Sequence, residues 1–312
     1  DIYCWAAYLS LGFFVLTSSL LLIRDLIGLV LHFGFPLVLP LSEARIDLAT
    51  FALASLLTFR GLYQARRTPQ VRHVEVPIDG LPEELDGLRI AQISDLHVGP
   101  TIKGDFVRRI VERVNALDAD IIAFTGDMAD GPVERLAAHV APLAELQAKL
   151  GCFSITGNHE YYSGAEQWVE QARQLGFQVL INESALINYH NKRVAIVGIT
   201  DHGAGEMLAA HASDPEGALA AAPAADLILL LAHQPRSISA AQGAQLQLSG
   251  HTHGGQFFPW KYLVPLQQPY LSGLHRHGPM WIYVHNGSGY WGPPLRLGAP
   301  SEIALLTLRK AQ

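Results

Sequence analysis

Two histidines stand one residue apart in "SGHTHGG", residues 249–255, where His251 and His253 follow a short apolar run and sit among glycines. Imidazoles at that spacing are either polar residues on a glycine-rich turn or a pair of metal ligands, and the rest of the chain must decide. Four other apolar runs end in the same way. "IAQISDLHVG" ends in Asp95 and His97, "IIAFTGDMAD" in Gly126 and Asp127, "FSITGNHEYY" in Asn158, His159 and Glu160, and "LILLLAHQP" in His233. In extended chain, residues i and i+2 project to one side. On that reading Asp95 and His97 face a common crevice while Leu96 packs away, and His251 and His253 do likewise with Thr252 turned out. Carboxylate oxygen, imidazole nitrogen and amide oxygen, with no thiolate, suit Mn²⁺ above all, with Fe or Zn²⁺ as alternatives. Asp95, Asp127, His97, His233, His251, His253 and Asn158 are too many ligands for one ion. They fit two divalent ions sharing Asp127.

Such convergence needs elements that bring five strand ends together. Apolar runs "LRIAQIS", "DIIAFTG", "GCFSITG", "RVAIVGI", "DLILLLA", "LQLSG", "WIYVHN" and "EIALLTL" predict strands. Between the first three lie "DFVRRIVERVNAL" and "PVERLAAHVAPLAEL", apolar at i, i+3, i+4 spacing, which predict helices. Strands alternating with helices give an α/β domain around a sheet, whose ligands bind beyond the carboxyl ends of the strands.

The N-terminal part differs in kind. Ile2 to Ile23 is an uncharged run long enough to cross a bilayer as a helix. Arg24 and Asp25 interrupt it; a second apolar stretch from Leu26 to Leu41 carries Pro36 and Pro40 and predicts a broken or re-entrant segment. After the polar "SEARID", a further run from Leu48 to Phe59 predicts a second span. The expected organisation is a membrane region over residues 1–65, a linker and first strand over 66–87, and a catalytic domain over 88–312. Arg60, Arg66 and Arg67 outnumber Arg24 and Arg45, so the positive-inside rule predicts an integral, multi-pass protein with a cytoplasmic C-terminal domain.

Bulk composition excludes more than it assigns. A net charge of −6 over 312 residues argues against a nucleic-acid partner bound through a basic surface. The only two cysteines, Cys4 and Cys152, are far apart in apolar surroundings and give no disulfide framework.

The five clusters, in this order and each after its own strand, resemble the signature of the calcineurin-like metallophosphoesterases across most of residues 88–255. That resemblance implies an α/β sandwich with two central mixed sheets flanked by helices, here preceded by transmembrane helices. It implies Asp95, His97 and His253 at a first metal, Asn158, His233 and His251 at a second, and Asp127 as the bridge. His159 takes the position that contacts the phosphate and assists the leaving group. The expected chemistry is phosphoester hydrolysis by metal-activated hydroxide, since metal-bound water can reach a pKa of about 7. Glu160 and Asp130 either orient ligands or are ordinary solvated loop residues. Arg276 in "HRH" either holds a second phosphate or anionic headgroup or belongs to a solvated turn, and Asn286 and Tyr290 are candidates for the pocket rim. With its membrane section, the chain is similar to bacterial enzymes linked to envelope lipids, some of which cleave the pyrophosphate of UDP-2,3-diacylglucosamine in lipid A synthesis. The substrate expected is therefore a phosphodiester or nucleotide-linked lipid. A phosphomonoesterase, a metal-binding membrane scaffold without activity, and a transporter with a regulatory domain are the alternatives. Too few spans argue against the transporter, and a scaffold has no need of His159.

Overall fold

The computed structural model describes residues 2–34 and 43–311. Two long helices open the chain, α1 (Ile2–Gly34) and α2 (Glu43–Arg66). Both are long and apolar enough to cross a membrane, with mean hydropathy of 2.0 and 1.3 over their best stretches. The charges of Arg24 and Asp25, which interrupt the apolar run, do not interrupt the helix, and α1 continues through them to Gly34. Charge marks a change in hydropathy but leaves backbone hydrogen bonding intact. Here Arg24 also pairs with Asp25 and, across the helix pair, with Asp47. The residues after Gly34 in the expected re-entrant stretch, including Pro36 and Pro40, lie outside the described residues. Two helices qualify as spans among the described residues, so the multi-pass expectation narrows to this pair.

The pair is docked on the rest of the protein. Leu16 of α1 is buried against Phe257 and Leu295, with Leu57 and Leu62 of α2 beside them. A methyl group on Gly12 would come within 2.5 Å of Leu295 Cδ1, so α1 approaches the 293–297 loop as closely as glycine permits. Arg66 donates to the Thr101 carbonyl at 2.8 Å and lies 5.2 Å above the Trp5 ring.

The remaining chain runs β1 (Gln70–Ile78), β2 (Arg89–Ile93), α3 (Gly104–Asn115), β3 (Ile121–Phe124), α4 (Val133–Val140), β4 (Cys152–Ser154), α5 (Asn158–Ser163), α6 (Ala165–Gln174) and β5 (Gln178–Val179). It continues through β6 (Glu183–Tyr189), β7 (Lys192–Gly198), β8 (Leu227–Leu231), β9 (Leu246–Ser249), β10 (Gly273–His277), β11 (Met280–Val284) and β12 (Glu302–Lys310). These strands form two six-stranded sheets, ordered β1-β12-β2-β3-β4-β5 and β10-β11-β9-β8-β7-β6. Both are mixed: β2 to β5 are parallel while β12 opposes β2, and β7, β8, β9 and β11 are parallel while β6 and β10 run against them.

Alternation along β2 shows how the layers are specified. Ile90 joins the core between the sheets, whereas Ala91 and Ile93 face the helical layer. There α3 contributes Phe106, Val107, Ile110, Val111 and Val114 from a single stripe. Each such fully buried side chain contributes about 1.5–3 kcal/mol. The second predicted helix is shorter as an α-helix than its pattern suggests. It ends at Val140 and continues as a 3-10 turn from Ala141, because Pro142 has no amide hydrogen to extend it.

Candidate metal centre

The parallel strands of both sheets deliver their carboxyl ends to one place. Asp95 follows β2, Asp127 follows β3, Asn158 follows β4, His233 follows β8, and His251 and His253 follow β9. The extended-chain account of the paired residues is corrected here. Asp95, His97, Asp127, His251 and His253 all lie past their strands with positive φ, between 50° and 69°. Left-handed backbone, not the strand pleat, turns alternate side chains into the site. Such conformations cost roughly 1–2 kcal/mol each outside glycine, and they concentrate at functional sites. Leu96 packs into the helical-layer core as expected, but Thr252 is buried as well and donates to the Leu271 carbonyl at 2.7 Å.

Two groups of ligand atoms result. In one, Nε2 of His97 and Nε2 of His253 lie 3.0 Å apart, with Asp95 Oδ1 3.4 Å from the latter. In the other, His233 Nε2 and His251 Nδ1 are 3.3 Å apart, and Asn158 Oδ1 lies 3.2 and 3.0 Å from them. Asp127 stands between: its Oδ2 is 3.1 Å from His233 Nε2 and 3.6 Å from His97 Nε2. Imidazole nitrogens pointed at one another, together with the buried Asp95 Oδ2 that lacks a hydrogen-bond partner among the described residues, leave lone pairs unmatched. A divalent cation in each group would satisfy them, and the oxygen and nitrogen donors fit Mn²⁺, Fe²⁺ or Zn²⁺.

The electrostatics divide the rings: burial opposes protonation of His233, but Asp127 outweighs it and holds that ring well above its usual range, so a metal there would displace its proton. Burial opposes ionisation of Asp127, but the imidazoles of His233, His159 and His97 outweigh it and hold the carboxyl well below its usual range. Burial and the neighbouring His233 lower His251 to about 3, so its ring is neutral, the form a metal requires. His253 is held neutral by burial, His97 and the Arg296 guanidinium.

The supporting residues are equally well defined. Glu160 is buried and accepts backbone N–H groups of Asp127 at 3.0 Å, Met128 at 2.6 Å and Gly157 at 2.6 Å, tying the loops after β3 and β4 together. Asp130 Oδ1 lies 2.8 Å from His97 Nδ1 and 2.7 Å from His159 Nδ1. It therefore fixes one ring in the first group and the ring of His159 beside it. Burial opposes protonation of His159, yet Asp127 and Asp130 overcome it and raise the ring to about 9.

Three sequence candidates are not brought in. Arg276 sits on β10 near its far end, pairing with Asp79 and covering the Trp281 ring, away from the strand ends that carry the ligands. "HRH" is thus strand, not a solvated turn. Asn286 is buried against Glu302, and Tyr290 is buried with its hydroxyl directed at the Thr101 carbonyl. Neither lines the groove. The residue that sequence reasoning missed is Arg296, fully buried, which donates to the carbonyls of His253 at 2.9 Å and Asn286 at 2.7 Å. Its only signal was an arginine inside the apolar run "PPLRLGAP".

Comparison with known proteins places this geometry. A family model described as calcineurin-like phosphoesterase matches residues 88–255, the stretch that carries every candidate ligand. An uncharacterised metallophosphoesterase of Helicobacter pylori is 40% identical over 263 residues, covering 83% of this chain and 69% of its own. A transmembrane protein with a metallophosphoesterase domain from Danio rerio is 37% identical over 270 residues, covering 83% of this chain and 62% of its own. This chain thus spans about two thirds of the length of those relatives. Among solved structures, a calcineurin-like phosphoesterase from Bacillus subtilis aligns with a TM-score of 0.45 at 13% identity, over 71% of this chain and 91% of its own.

Proposed function

The chain belongs to the calcineurin-like phosphoesterases, a metal-dependent hydrolase family, and from that premise we propose a membrane-anchored, dinuclear phosphodiesterase or pyrophosphatase. The observation that carries the dinuclear reading is the pair of facing ligand groups with Asp127 between them. Asp95, His97 and His253 would hold one divalent ion, Asn158, His233 and His251 the other, and Asp127 both. Bound there, divalent ions would supply Lewis acidity at phosphorus and lower the pKa of an attacking water. Mn²⁺ is the metal proposed, on the mixed oxygen and nitrogen donors.

The protein's own groups do the rest. His159 meets Asp130 through Nδ1 at 2.7 Å, and the carboxylates of Asp127 and Asp130 favour its protonated form. It is thereby able to stabilise charge at the phosphoryl group or donate to the departing oxygen. Asp130 keeps that ring and His97 in one orientation, and Glu160 keeps the Asp127 and Asn158 loops in register. A third cluster of His97, Asp130 and His159 has metal-ligand spacing too. Its short contacts to one carboxylate oxygen favour the supporting role.

A groove of about 650 Å³ opens from the metal groups. Its size leaves room for substituents on both sides of a phosphodiester, which favours a diester over a monoester. Exposed Tyr162 and Trp291, with ring centroids 5.2 and 6.2 Å from that of His159, offer surfaces for a base or headgroup. A nucleotide-linked lipid such as a UDP-linked precursor of lipid A is one member of this substrate class. The helix pair α1 and α2 would anchor the protein, with Arg66 and Arg67 at the end of α2 on the cytoplasmic side. The test is hydrolysis of bis(4-nitrophenyl) phosphate and 4-nitrophenyl phosphate, side by side, by the full chain stripped of metal and reloaded with Mn²⁺. Diester turnover exceeding monoester turnover by about tenfold or more is expected. The reverse order would overturn the diesterase reading in favour of a phosphomonoesterase.

A further inference from the structure

The groove that begins at the metal groups continues to a helix of the candidate membrane pair. Beyond His97, Asn158 and His159, its walls are Leu11 and Val15 of α1 on one side, with Phe257, Trp260, Val264 and Pro293 completing it. One wall of the pocket is therefore a helix of the candidate membrane pair. Leu11 is 49% exposed although it faces this cleft. Leu16, one residue beyond Val15, is sealed against Phe257 and Leu295. The cleft is thus held open by a packed contact at its base.

A second feature points the same way. The short helical segment 260–266 that contributes Trp260 and Val264 also exposes large apolar side chains: Trp260 40%, Tyr262 66%, Leu263 43% and Leu266 80%. Isolated exposed apolar residues are ordinary, but a contiguous set beside an apolar groove marks an interaction surface. Tryptophan and tyrosine at the rim are the residues that settle at the headgroup level of a bilayer. Along α1 the side chains beyond the docked part, including Leu22, Leu26, Ile27, Val30 and Phe33, are exposed. The same helix thus runs from the cleft into the stretch that a bilayer would surround.

We propose that this groove is a lateral slot for the apolar chain of an amphiphilic phosphoester. The phosphorus is presented to the metal groups, and the chain lies between Leu11 and Val15 of α1 and Trp260 and Val264 opposite. The inference rests on the hydrolase reading above and goes beyond it, since it makes the anchoring helix a wall of the substrate site. The substrate enters from the leaflet sideways, with its headgroup resting near Trp291. Chain length then contributes to recognition, because each buried methylene adds to binding.

The test uses the full chain in lipid nanodiscs loaded with Mn²⁺ and two diesters, methyl 4-nitrophenyl phosphate and octyl 4-nitrophenyl phosphate. We expect kcat/KM for the octyl ester to exceed that for the methyl ester by about 100-fold, carried mainly by KM. Leu11→Trp, which fills the slot from α1, and Val264→Trp, which fills it from the opposite wall, should each cut the octyl-to-methyl ratio at least about tenfold below that of wild type. Partitioning of the octyl ester into the disc is the same for all variants, so the ratio reports the slot. Turnover of the methyl ester with no chain-length preference would overturn the slot and leave the hydrolase standing. A preference unchanged in both variants would also overturn it. Failure of the wild type to cleave either diester with two ions bound would overturn the diesterase reading, and the slot with it.

Discussion

At the scale of residues, the site is a strained arrangement held by buried hydrogen bonds. Five ligand-bearing positions adopt left-handed backbone that non-glycine residues avoid, at a total cost on the order of several kcal/mol. That strain is sustained by Glu160, whose carboxylate takes three backbone N–H groups, and by Arg296, which takes the carbonyls after β9 and β11. Asp130 has a different task, since it touches ring nitrogens rather than backbone. Replacing it should loosen His97 and His159 together. Asp130→Ala is expected to lower turnover about 10–100-fold, the range typical of losing a partner that orients a metal ligand. The fold should be retained, as judged by circular dichroism. Turnover equal to wild type would show that neither ring depends on this carboxylate.

At the scale of elements, convergence is achieved by close contact between loops that follow separate strands. Gly126, with φ of 93°, brings its backbone so near Gly157 and His233 that a methyl group would sit 2.5 Å from the Gly157 nitrogen. Gly157 has an ordinary backbone (φ −98°), but an added methyl group would collide with the Asp127 carboxylate. Gly157→Ala therefore tests position without backbone strain. It should displace Asp127 and cut turnover at least about 100-fold with secondary structure unchanged, and normal turnover would mean that the loops can separate freely. This crowding was only partly legible in the sequence. Runs such as "LILLLA" and "DIIAFTG" announced the buried parallel strands, because they are apolar on both faces, and their polar ends marked the site. Edge strand β6, with exposed and buried residues in irregular order, and two-residue β5 carried no such pattern. The helix α6 was missed as well, although Trp168, Val169 and Ala172 lie on its buried stripe. Left-handed turns at histidine and aspartate were illegible for a different reason. They are imposed by tertiary contacts, and the modest preference of aspartate and histidine for left-handed backbone is too weak to place them.

At the scale of the whole molecule, the apolar helix pair and the hydrolase domain form one packed body, joined through Leu16, Phe257 and Leu295 and through Arg66. The sequence reading divides the chain near residue 66, where its composition changes. It could not foresee that α1 lies against the site, since that depends on Gly12 and on the 293–297 loop far away in the chain. If the pair anchors the protein as proposed, the full chain expressed in bacteria should sediment with membranes and resist carbonate extraction. Release of most of the protein into the carbonate supernatant would refute the anchor.

The central claim is that Asp127 joins two metal groups into one centre. Its most direct test is metal analysis, by mass spectrometry of the intact chain and by elemental assay, on wild type, Asp127→Asn and His251→Ala after equilibration with Mn²⁺. The account predicts about two ions per wild-type chain, one fewer in His251→Ala, and weakened binding of both in Asp127→Asn. Turnover of the diester should fall at least about 100-fold in each variant. A single ion in wild type, or two ions with undiminished turnover in His251→Ala, would contradict it.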